Sequence, residues 1–540
     1  MINIFKFTFI LLATVNLGFN TFPAYANNTD PCSLEQEEIT FNTHPIFDES
    51  EKGILFFHRW ANTLHIKTKL KTLQNEAAFF INKCNKTAED LAELERHLRH
   101  KKYLVDAKVL ADSTMKKITI DTWDNWSLMP TISFGRKGGE NSSSFGIKER
   151  NLLGLGIDTE IEYYNNNQRT GYKISTTLPL FQQHNSEVSL RFADNNDGTQ
   201  HSIFFTQSFA SFYTPYAYHI GFNEETREDT LYQNNNKQSS FEHNINFQTL
   251  SYAWLTLNDD NHVLRFRLGM TKDQHTFTHT PTFVDNIQPE IIPLNRSHIY
   301  PWASLAYIEK DFKELTNIHL ISQIEDFNIG WQINARFGIN IDNKNKVHSK
   351  TLLLWQTDIK KGFSFTNGSL LLFNLSLAGE TFEHGHNRIV ANIGTEYFYH
   401  FSEDWSVYVN NENTFTENQY IDTPVTMGGD TGIRGFPLQY QHGQSNVKFT
   451  TEIRYYPRIN LFKLFDLAGA AFIDSGKAMG SSIIKNNDTG WLYSVGAGIR
   501  LYSPHSGGNN PIIHIDFATP ITDDADVNGF EVRIQTKKTF

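Results

Sequence analysis

The sequence predicts a β-barrel that spans a membrane, and two features of its composition point to that fold class together. Of its 540 residues 14% are aromatic, yet its mean hydropathy is −0.43. Barrel strands explain this combination because lipid-facing and lumen-facing residues alternate along them, so that their polarities average out. Beyond the N-terminus no apolar run reaches the roughly 18 residues that a transmembrane helix needs. We therefore exclude a helical membrane protein.

Residues 1–26 have the features of a secretory signal peptide. Lys6 supplies a single positive charge near the N-terminus, and Phe7 to Val15 form a short apolar segment. Ala24-Tyr25-Ala26 has the small-residue pattern of a cleavage site. We expect this segment to be removed and the mature chain to be exported.

The chain has two cysteines, Cys32 and Cys84. An oxidising periplasm would allow them to form a disulfide. Sequence spacing does not show whether the geometry permits the bond, so a bonded pair and two free thiols both remain open at this point.

Residues 27–125 are predicted to form a small α/β domain ahead of the barrel. A capping box, Thr87-Ala88-Glu89-Asp90, starts a helix, and leucines recur at helical spacing down to a basic end that suits the helix dipole. Two alternating runs follow, Leu104 to Leu110 and Lys116 to Trp123. The earlier segment Ile54 to Ala78 is expected to supply a first strand and another helix.

Residues 126–540 are predicted to form the barrel. From Ser144 onward apolar and polar side chains alternate almost throughout, which indicates strands. We count roughly nineteen extended runs, separated by polar connections whose residues tolerate turn geometry. Single-chain bacterial barrels use an even number of strands. At least one run is therefore expected outside the wall, and the pattern favours about 16 or 18 wall strands. Apolar faces are expected to contact lipid and charged faces the lumen.

A glycine-rich segment within the connection 421–446 carries one positive charge, Arg434. Its four glycines permit tight turns and positive φ, which predicts a shaped loop. A charge held inside such a loop needs an acceptor. Glu452 and Asp474 are expected to point inward on the next two strands, and a guanidinium can bind one or two carboxylates. We therefore expect the loop to fold into the barrel and Arg434 to dock there.

Four motifs follow one another in the barrel region: Glu149 to Gly156, Gly432 to Phe436, Glu452 to Tyr455, and Phe472 to Gly476. They match, in this order, E-x-N-x-x-G-x-G, (V/I/L)RG(F/Y), E-x-R-Y and F-x-D-x-G of the BamA/TamA superfamily. That superfamily contains outer-membrane insertases and two-partner secretion transporters with surface-antigen barrels. The chain resembles it over nearly the whole barrel.

The resemblance implies a 16-stranded antiparallel transmembrane β-barrel with a lateral seam, where Ser144 to Asn151 pair weakly with Phe530 to Phe540. It implies that loop 421–446 plugs the lumen and that the small domain is a periplasmic POTRA domain of βααββ order. Such domains receive unfolded clients by strand addition. Phe540 corresponds to a terminal export signal. The residues assigned to the lumen lock are Arg434, Gly435, Phe436, Glu452, Phe472 and Asp474.

The expected function is insertion or translocation of client polypeptides in the bacterial outer membrane. The alternative is a passive outer-membrane channel or structural barrel, in which the arginine's ion pairs only fix the loop. Expected partners are outer-membrane lipids, an unfolded client and a periplasmic or inner-membrane protein. A net charge of −11 argues against nucleic acid.

No enzyme, cofactor or metal is predicted. The sequence lacks the motifs H-E-x-x-H, G-x-S-x-G and C-x-x-C, and it nominates no nucleophile beside a base. His384 and His386 flank a glycine in a predicted loop and are expected to be solvated.

Overall fold

The computed structural model describes residues 38–47, 49–50, 54–180, 185–279, 291–342, 351–366, 368–383, 385–486, 488–505, 512–524 and 527–537. The predicted signal peptide 1–26, Cys32, His384 and Phe540 lie outside these residues. Among the described helices, none is both long and apolar enough to cross a membrane.

The N-terminal part is an α/β unit with a three-stranded sheet. Its strands are β1 (Glu38–His44), β2 (Leu104–Ala111) and β3 (Lys117–Asp124), in the order β1-β3-β2, with β1 parallel and β2 antiparallel to β3. Its helices are α1 (Phe56–Leu64), α2 (Leu70–Glu76), α3 (Ala78–Ile81) and α4 (Ala88–Arg99). The sheet packs on buried side chains of α2, α3 and α4, among them Leu73, Phe80, Leu94 and Leu98.

Helix α4 begins at the predicted capping box. The Asp90 amide donates to Thr87 Oγ1 at 3.3 Å, and the Thr87 amide donates to Asp90 Oδ2 at 2.8 Å. The prediction of a first strand within Ile54 to Ala78 is wrong, because the described part of that segment contains helices α1 and α2 and the start of α3. The strand is β1, further upstream. Cys84 is disulfide-bonded.

The barrel is a closed antiparallel sheet of twenty wall strands within the described residues. The first ten are β4 (Leu128–Lys137), β5 (Glu140–Leu152), β6 (Ile157–Asn165), β7 (Thr170–Leu180), β8 (Ser186–Asn195), β9 (Gly198–Gln207), β10 (Tyr216–Gln233), β11 (Asn236–Asn258), β12 (His262–His279) and β13 (Arg296–Glu309). The hairpin β14 (Phe312–Thr316) and β15 (Ile324–Asn328) forms a separate sheet outside the wall.

The wall continues through β16 (Gln332–Ile339), β17 (Thr351–Ser364), β18 (Leu370–Phe382), β19 (Arg388–His400) and β20 (Trp405–Glu417). Two short strands, β21 (Val425–Met427) and β22 (Gln441–Gly443), pair with each other inside loop 421–446. The wall then ends with β23 (Ser445–Tyr455), β25 (Phe465–Met479), β26 (Leu492–Tyr502), β27 (Ile512–Pro520) and β28 (Glu531–Lys537). The two-residue strand β24 (Asn460–Leu461) extends the edge beside β25.

The predicted number of 16 or 18 wall strands is wrong, since the wall has twenty within the described residues. Strand β4 lies before Ser144, where the regular alternation begins, and it contains Pro130. Proline is tolerated in a strand whose edge is weakly paired. The hairpin β14–β15 is the kind of extended run expected outside the wall.

The two faces of the wall have opposite polarity near the C-terminus. Ile453 is 47% exposed and Ile473 is 56% exposed, whereas Arg454 is 1% exposed and Asp474 is 0% exposed. Neighbouring residues along one strand therefore face the outside and the lumen in turn, as the alternation predicts.

The barrel has two different ends. The α/β unit lies against what we call the domain end, which is formed by connections such as 153–156, 208–215 and 309–331. At the opposite end, which we call the loop end, lie turns 138–139 and 234–235 together with loop 421–446.

The wall closes between β28 and β4, and we call this junction the seam. Within the described residues its register has a single position, Ile534 opposite Arg136, whereas every other pair of neighbouring wall strands shares at least seven. The expected seam partner Ser144 to Asn151 is wrong, because those residues lie in β5 and β4 is placed between them and β28. A weak junction at the last strand is nevertheless present.

Candidate functional site: an arginine lock between loop and wall

Loop 421–446 folds into the loop end of the barrel around its glycines. Gly432 and Gly435 have φ of +115° and +90°, which L-residues with a side chain rarely adopt. The Gly428 carbonyl accepts hydrogen bonds from the amides of Gly432 and Ile433 at 3.2 and 3.0 Å. This tight turn presents the next residue, Arg434, to the inner face of the wall.

Arg434 forms a two-pronged hydrogen bond with Asp474 of β25. Its Nε and Nη2 donate to the two carboxylate oxygens at 2.6 and 2.7 Å, and Nη1 donates to Glu452 of β23 at 3.2 Å. The centre of its guanidinium lies 3.2 Å from the ring centroid of Phe472. Because the Arg434 side chain is only 4% exposed, these partners replace water almost completely. Charge-assisted paired bonds of this kind are among the stronger hydrogen bonds in proteins.

The cluster around Arg434 contains more charged residues than the sequence predicts. Asp516 lies 3.6 Å from Arg434 Nη1 and accepts from Arg500 at 2.6 Å, while Arg454 donates to Glu452 at 3.0 Å. Inward alternation along β26, β27 and β28 is the signal that could have identified the missed members. We define the arginine lock as four cations and four anions of balanced charge: Arg434, Arg454, Arg500, Arg533, Glu452, Asp474, Asp516 and Glu531.

Two wall glycines leave the space that the lock occupies. A Cβ at Gly476 would lie 2.9 Å from both Ile433 Cδ1 and Met427 Sδ, and a Cβ at Gly496 would lie 2.4 Å from the Phe472 ring. Real Cβ atoms essentially never come so close to other atoms. A side chain at Gly476 would displace the loop, and one at Gly496 would displace both the Phe472 ring and the Phe517 carbonyl, which lies 2.1 Å away. This is a physical reason for the glycine of the F-x-D-x-G motif.

The loop also contacts both sides of the seam. Glu531 of β28 accepts from the Gly435 amide at 2.9 Å and from the Gly139 amide, in the turn after β4, at 3.1 Å. Arg533 of β28 donates to the Gly429 carbonyl at 3.1 Å. Phe436 is buried beside these contacts. One carboxylate thus joins the loop, the last wall strand and the first wall hairpin.

The opening motif at Glu149 to Gly156 has a different position from the lock. It forms the turn between β5 and β6 at the domain end, where the Gly154 carbonyl accepts from the Lys69 amide at 2.9 Å and from Thr72 Oγ1 at 2.7 Å. Asn151 Nδ2 donates to Thr68 Oγ1 at 2.8 Å. The motif therefore joins the barrel to the α/β unit.

Comparison with known proteins finds similar folds among solved structures. No protein-family model matches the sequence, and no curated protein matches it. Among solved structures, BamA from Haemophilus ducreyi lacking POTRA domains 1–3 has 12% identity and a TM-score of 0.41, covering 93% of this chain and 83% of that one. CdiB from Acinetobacter baumannii has 9% identity and a TM-score of 0.44, with coverages of 93% and 74%. CdiB from Escherichia coli has 9% identity and a TM-score of 0.39, with coverages of 96% and 92%.

The resemblance to the BamA/TamA superfamily rests on the sequence motifs and not on these neighbours. At this level of similarity the neighbours do not establish an activity for this chain. Its motifs and the geometry of the arginine lock carry the functional argument instead.

His386 is not part of the arginine lock, and its side chain is exposed.

Proposed function

We propose that this chain is an outer-membrane barrel of the BamA/TamA superfamily that inserts or translocates client polypeptides, with its α/β unit acting as a POTRA-like periplasmic domain. The observation that carries the proposal is the coincidence of a weakly paired seam with a loop that contacts both of its sides. A wall that never opened would be expected to close with a full ladder, since barrels otherwise satisfy every backbone group between strands.

A lumenal cavity of about 850 Å³ supports the same function. Its lining includes Met129 and Thr131 of β4 and Thr536 and Lys537 of β28, so it borders both strands of the seam. Lys102 of the α/β unit also lines it. A polypeptide received at the domain end would therefore have a polar space that leads to the seam.

The α/β unit offers a place for an unfolded client to bind. Strand β2 lies at the edge of the three-stranded sheet, and its Leu110 is 56% exposed. An extended peptide can add to such an edge through main-chain hydrogen bonds, here by displacing Glu95, whose carboxylate accepts from the Val109 amide at 2.9 Å. We propose that clients pair there before they enter the barrel.

Site-specific photo-crosslinking in the native host tests this proposal. A photoreactive residue would replace Leu110 at the β2 edge or Phe134, which is 53% exposed on β4 beside the seam. The control is Phe363, which is 40% exposed on β17, far from the seam. We expect polypeptide adducts at the first two positions and lipid adducts alone at the third. Lipid adducts alone at Phe134, with no adduct at Leu110, would contradict the proposal.

The alternative, a passive channel or structural barrel, is favoured by the charge balance of the lock, which would hold the loop permanently against the wall and leave the pore open. It predicts a large open conductance that persists when residues 27–123 are deleted. We expect instead a mostly closed pore whose opening changes with that deletion. Recording both proteins in planar bilayers distinguishes the two functions.

A further inference from the structure

Two histidines and an aspartate meet at the loop end, away from the arginine lock. His243 on β11 and His275 on β12 lie on the same inner face, and Asp422 belongs to the start of loop 421–446. One ligand atom from each lies within 4.8 Å of the others. His243 and Asp422 side chains are each only 2% exposed, and that of His275 is 17% exposed.

The hydrogen bonds of the two rings restrict where their protons can lie. The outer nitrogens contact carboxylates: His243 Nδ1 lies 2.7 Å from Asp229 and His275 Nε2 lies 3.1 Å from Asp273. A carboxylate only accepts hydrogen bonds, and a neutral imidazole has one N–H. If each N–H points to its carboxylate, the inner nitrogens, His243 Nε2 and His275 Nδ1, present two lone pairs to each other at 2.8 Å. Such a pair needs a cation between or beside its members.

The surroundings are those of a metal site. Imidazole rings that bind metals usually donate their other N–H to a carboxylate, which orients the ring and raises its basicity. Asp229 and Asp273 occupy that position for the two rings. Imidazole with one carboxylate is a ligand set suited to Zn²⁺ and neighbouring transition metals.

Asp422 can complete the site although it already has a partner. Arg296 Nη1 and Nη2 donate to its two oxygens at 2.9 and 2.7 Å. An ionised carboxylate has about four acceptor positions, so Asp422 retains lone pairs that could bind an ion.

We propose that His243, His275 and Asp422 bind one divalent transition-metal ion of the zinc class, which ties the start of loop 421–446 to strands β11 and β12. Metal–nitrogen bonds of 2.0–2.1 Å in a tetrahedral site place ligand atoms about 3.3 Å apart, so the two rings separate slightly on binding. Any proton held between the inner nitrogens leaves as the ion enters. The site does not depend on the transport proposal.

The test uses the tag-free full-length mature chain in detergent micelles, titrated with ZnCl₂ against a chromogenic chelator and with CoCl₂ by visible absorption. We expect one zinc per chain and cobalt bands typical of nitrogen and oxygen ligands. Replacing a ligand, as in His243→Gln, His275→Gln or Asp422→Asn, is expected to weaken zinc binding at least tenfold. The variant Asp273→Asn keeps all three ligands and should weaken it by about 10–100-fold.

The matched control is His201→Gln, on β9 of the same wall, which should bind zinc like the unaltered protein. Heat-modifiable electrophoretic mobility shows whether each variant remains a folded barrel. A folded His243→Gln protein that binds zinc as tightly as the unaltered chain would overturn the site. So would an unaltered chain that binds no zinc at about 0.1 mM, because the cation between the rings would then be a proton alone.

Discussion

The two ends of the barrel hold their attached elements by different means. At the loop end Arg434 is 4% exposed and its acceptor Asp474 is 0% exposed. At the domain end Arg99 of α4 also binds two carboxylates from the hairpin β14–β15, but one of them, Glu314, is 61% exposed. Water can replace a partner at the exposed contact and not at the buried one. We infer that the loop is held by fully buried charges, whereas the Arg99 joint is mixed, because its second acid, Asp326, is only 5% exposed.

The largest effect that separates the two ends is expected for Arg434→Ala. The change leaves Asp474 and Glu452 buried without their shared cation, and breaking a buried pair in this way costs about 3–5 kcal/mol. We expect the loop to leave the lumen and the yield of assembled barrel to fall. Protease protection of loop 421–446 and heat-modifiable mobility measure the two consequences.

The control for Arg434→Ala is Arg458→Ala. Arg458 also contacts two acids, Glu403 and Asp404, but its side chain is 60% exposed, so both readouts should stay unchanged. A folded Arg434→Ala barrel with a fully protected loop would show that the lock does not hold the loop in place.

A second prediction concerns the stability of the α/β unit itself, as distinct from the strength of its contacts with the barrel. Glu76 is buried inside the α/β unit, where it contacts Lys101, His97 and the Tyr103 hydroxyl. Burial, the largest single influence, raises the pKa of Glu76, but Lys101 and His97 outweigh it and lower the pKa from 4.5 to about 2. Since the folded pKa is the lower one, the carboxylate stabilises the folded unit above the unfolded pKa, by about 3 kcal/mol.

That stabilisation should disappear as the pH falls from about 4.5 toward 2. Hydrogen-exchange protection of α2 and α4, corrected for intrinsic exchange rates, should therefore drop about tenfold between pH 7 and pH 3.5 from this group alone. The drop should be smaller by that factor in Glu76→Gln and unchanged in Glu38→Gln, which alters a 69% exposed acid of β1. An equal drop in all three proteins would mean that Glu76 does not link the unit's stability to pH.

Much of the barrel could be predicted from the sequence because its signal is local. The period of two along strands such as β23 and β25 determines which residues face lipid, and one strand's residues suffice to show it. The number of strands is not local. It depends on whether an extended segment such as β4 joins the wall or only connects the α/β unit to it. Because β4 contains Pro130, its sequence resembles a connecting segment.

Only the central members of the arginine lock could be predicted from the sequence. Arg434, Glu452 and Asp474 follow from one loop and two adjacent strands. The contributions of Arg500, Asp516 and Glu531 depend on how far the loop reaches across the sheet, which the sequence pattern does not contain. The cluster His243, His275 and Asp422 was missed for the same reason, because Asp422 lies 147 positions after His275 and closed topology alone brings them together.

The smallest expected effect is that of Arg99→Ala, and it is the one that tests mobility at the domain end. Arg99 contacts Glu95 of its own helix together with Glu314 and Asp326 of the hairpin β14–β15. The contact with Glu314, which is 61% exposed, is worth less than about 1 kcal/mol. The contact with Asp326, which is 5% exposed, lies at the domain end, so the barrel should assemble normally and loop protection should stay unchanged. Distances between spin labels on α4 and on the wall strand β18 should broaden, because the hairpin no longer holds the end of α4. A barrel that fails to assemble in Arg99→Ala, or unchanged distances in a well-folded one, would show that the two ends are held with similar strength.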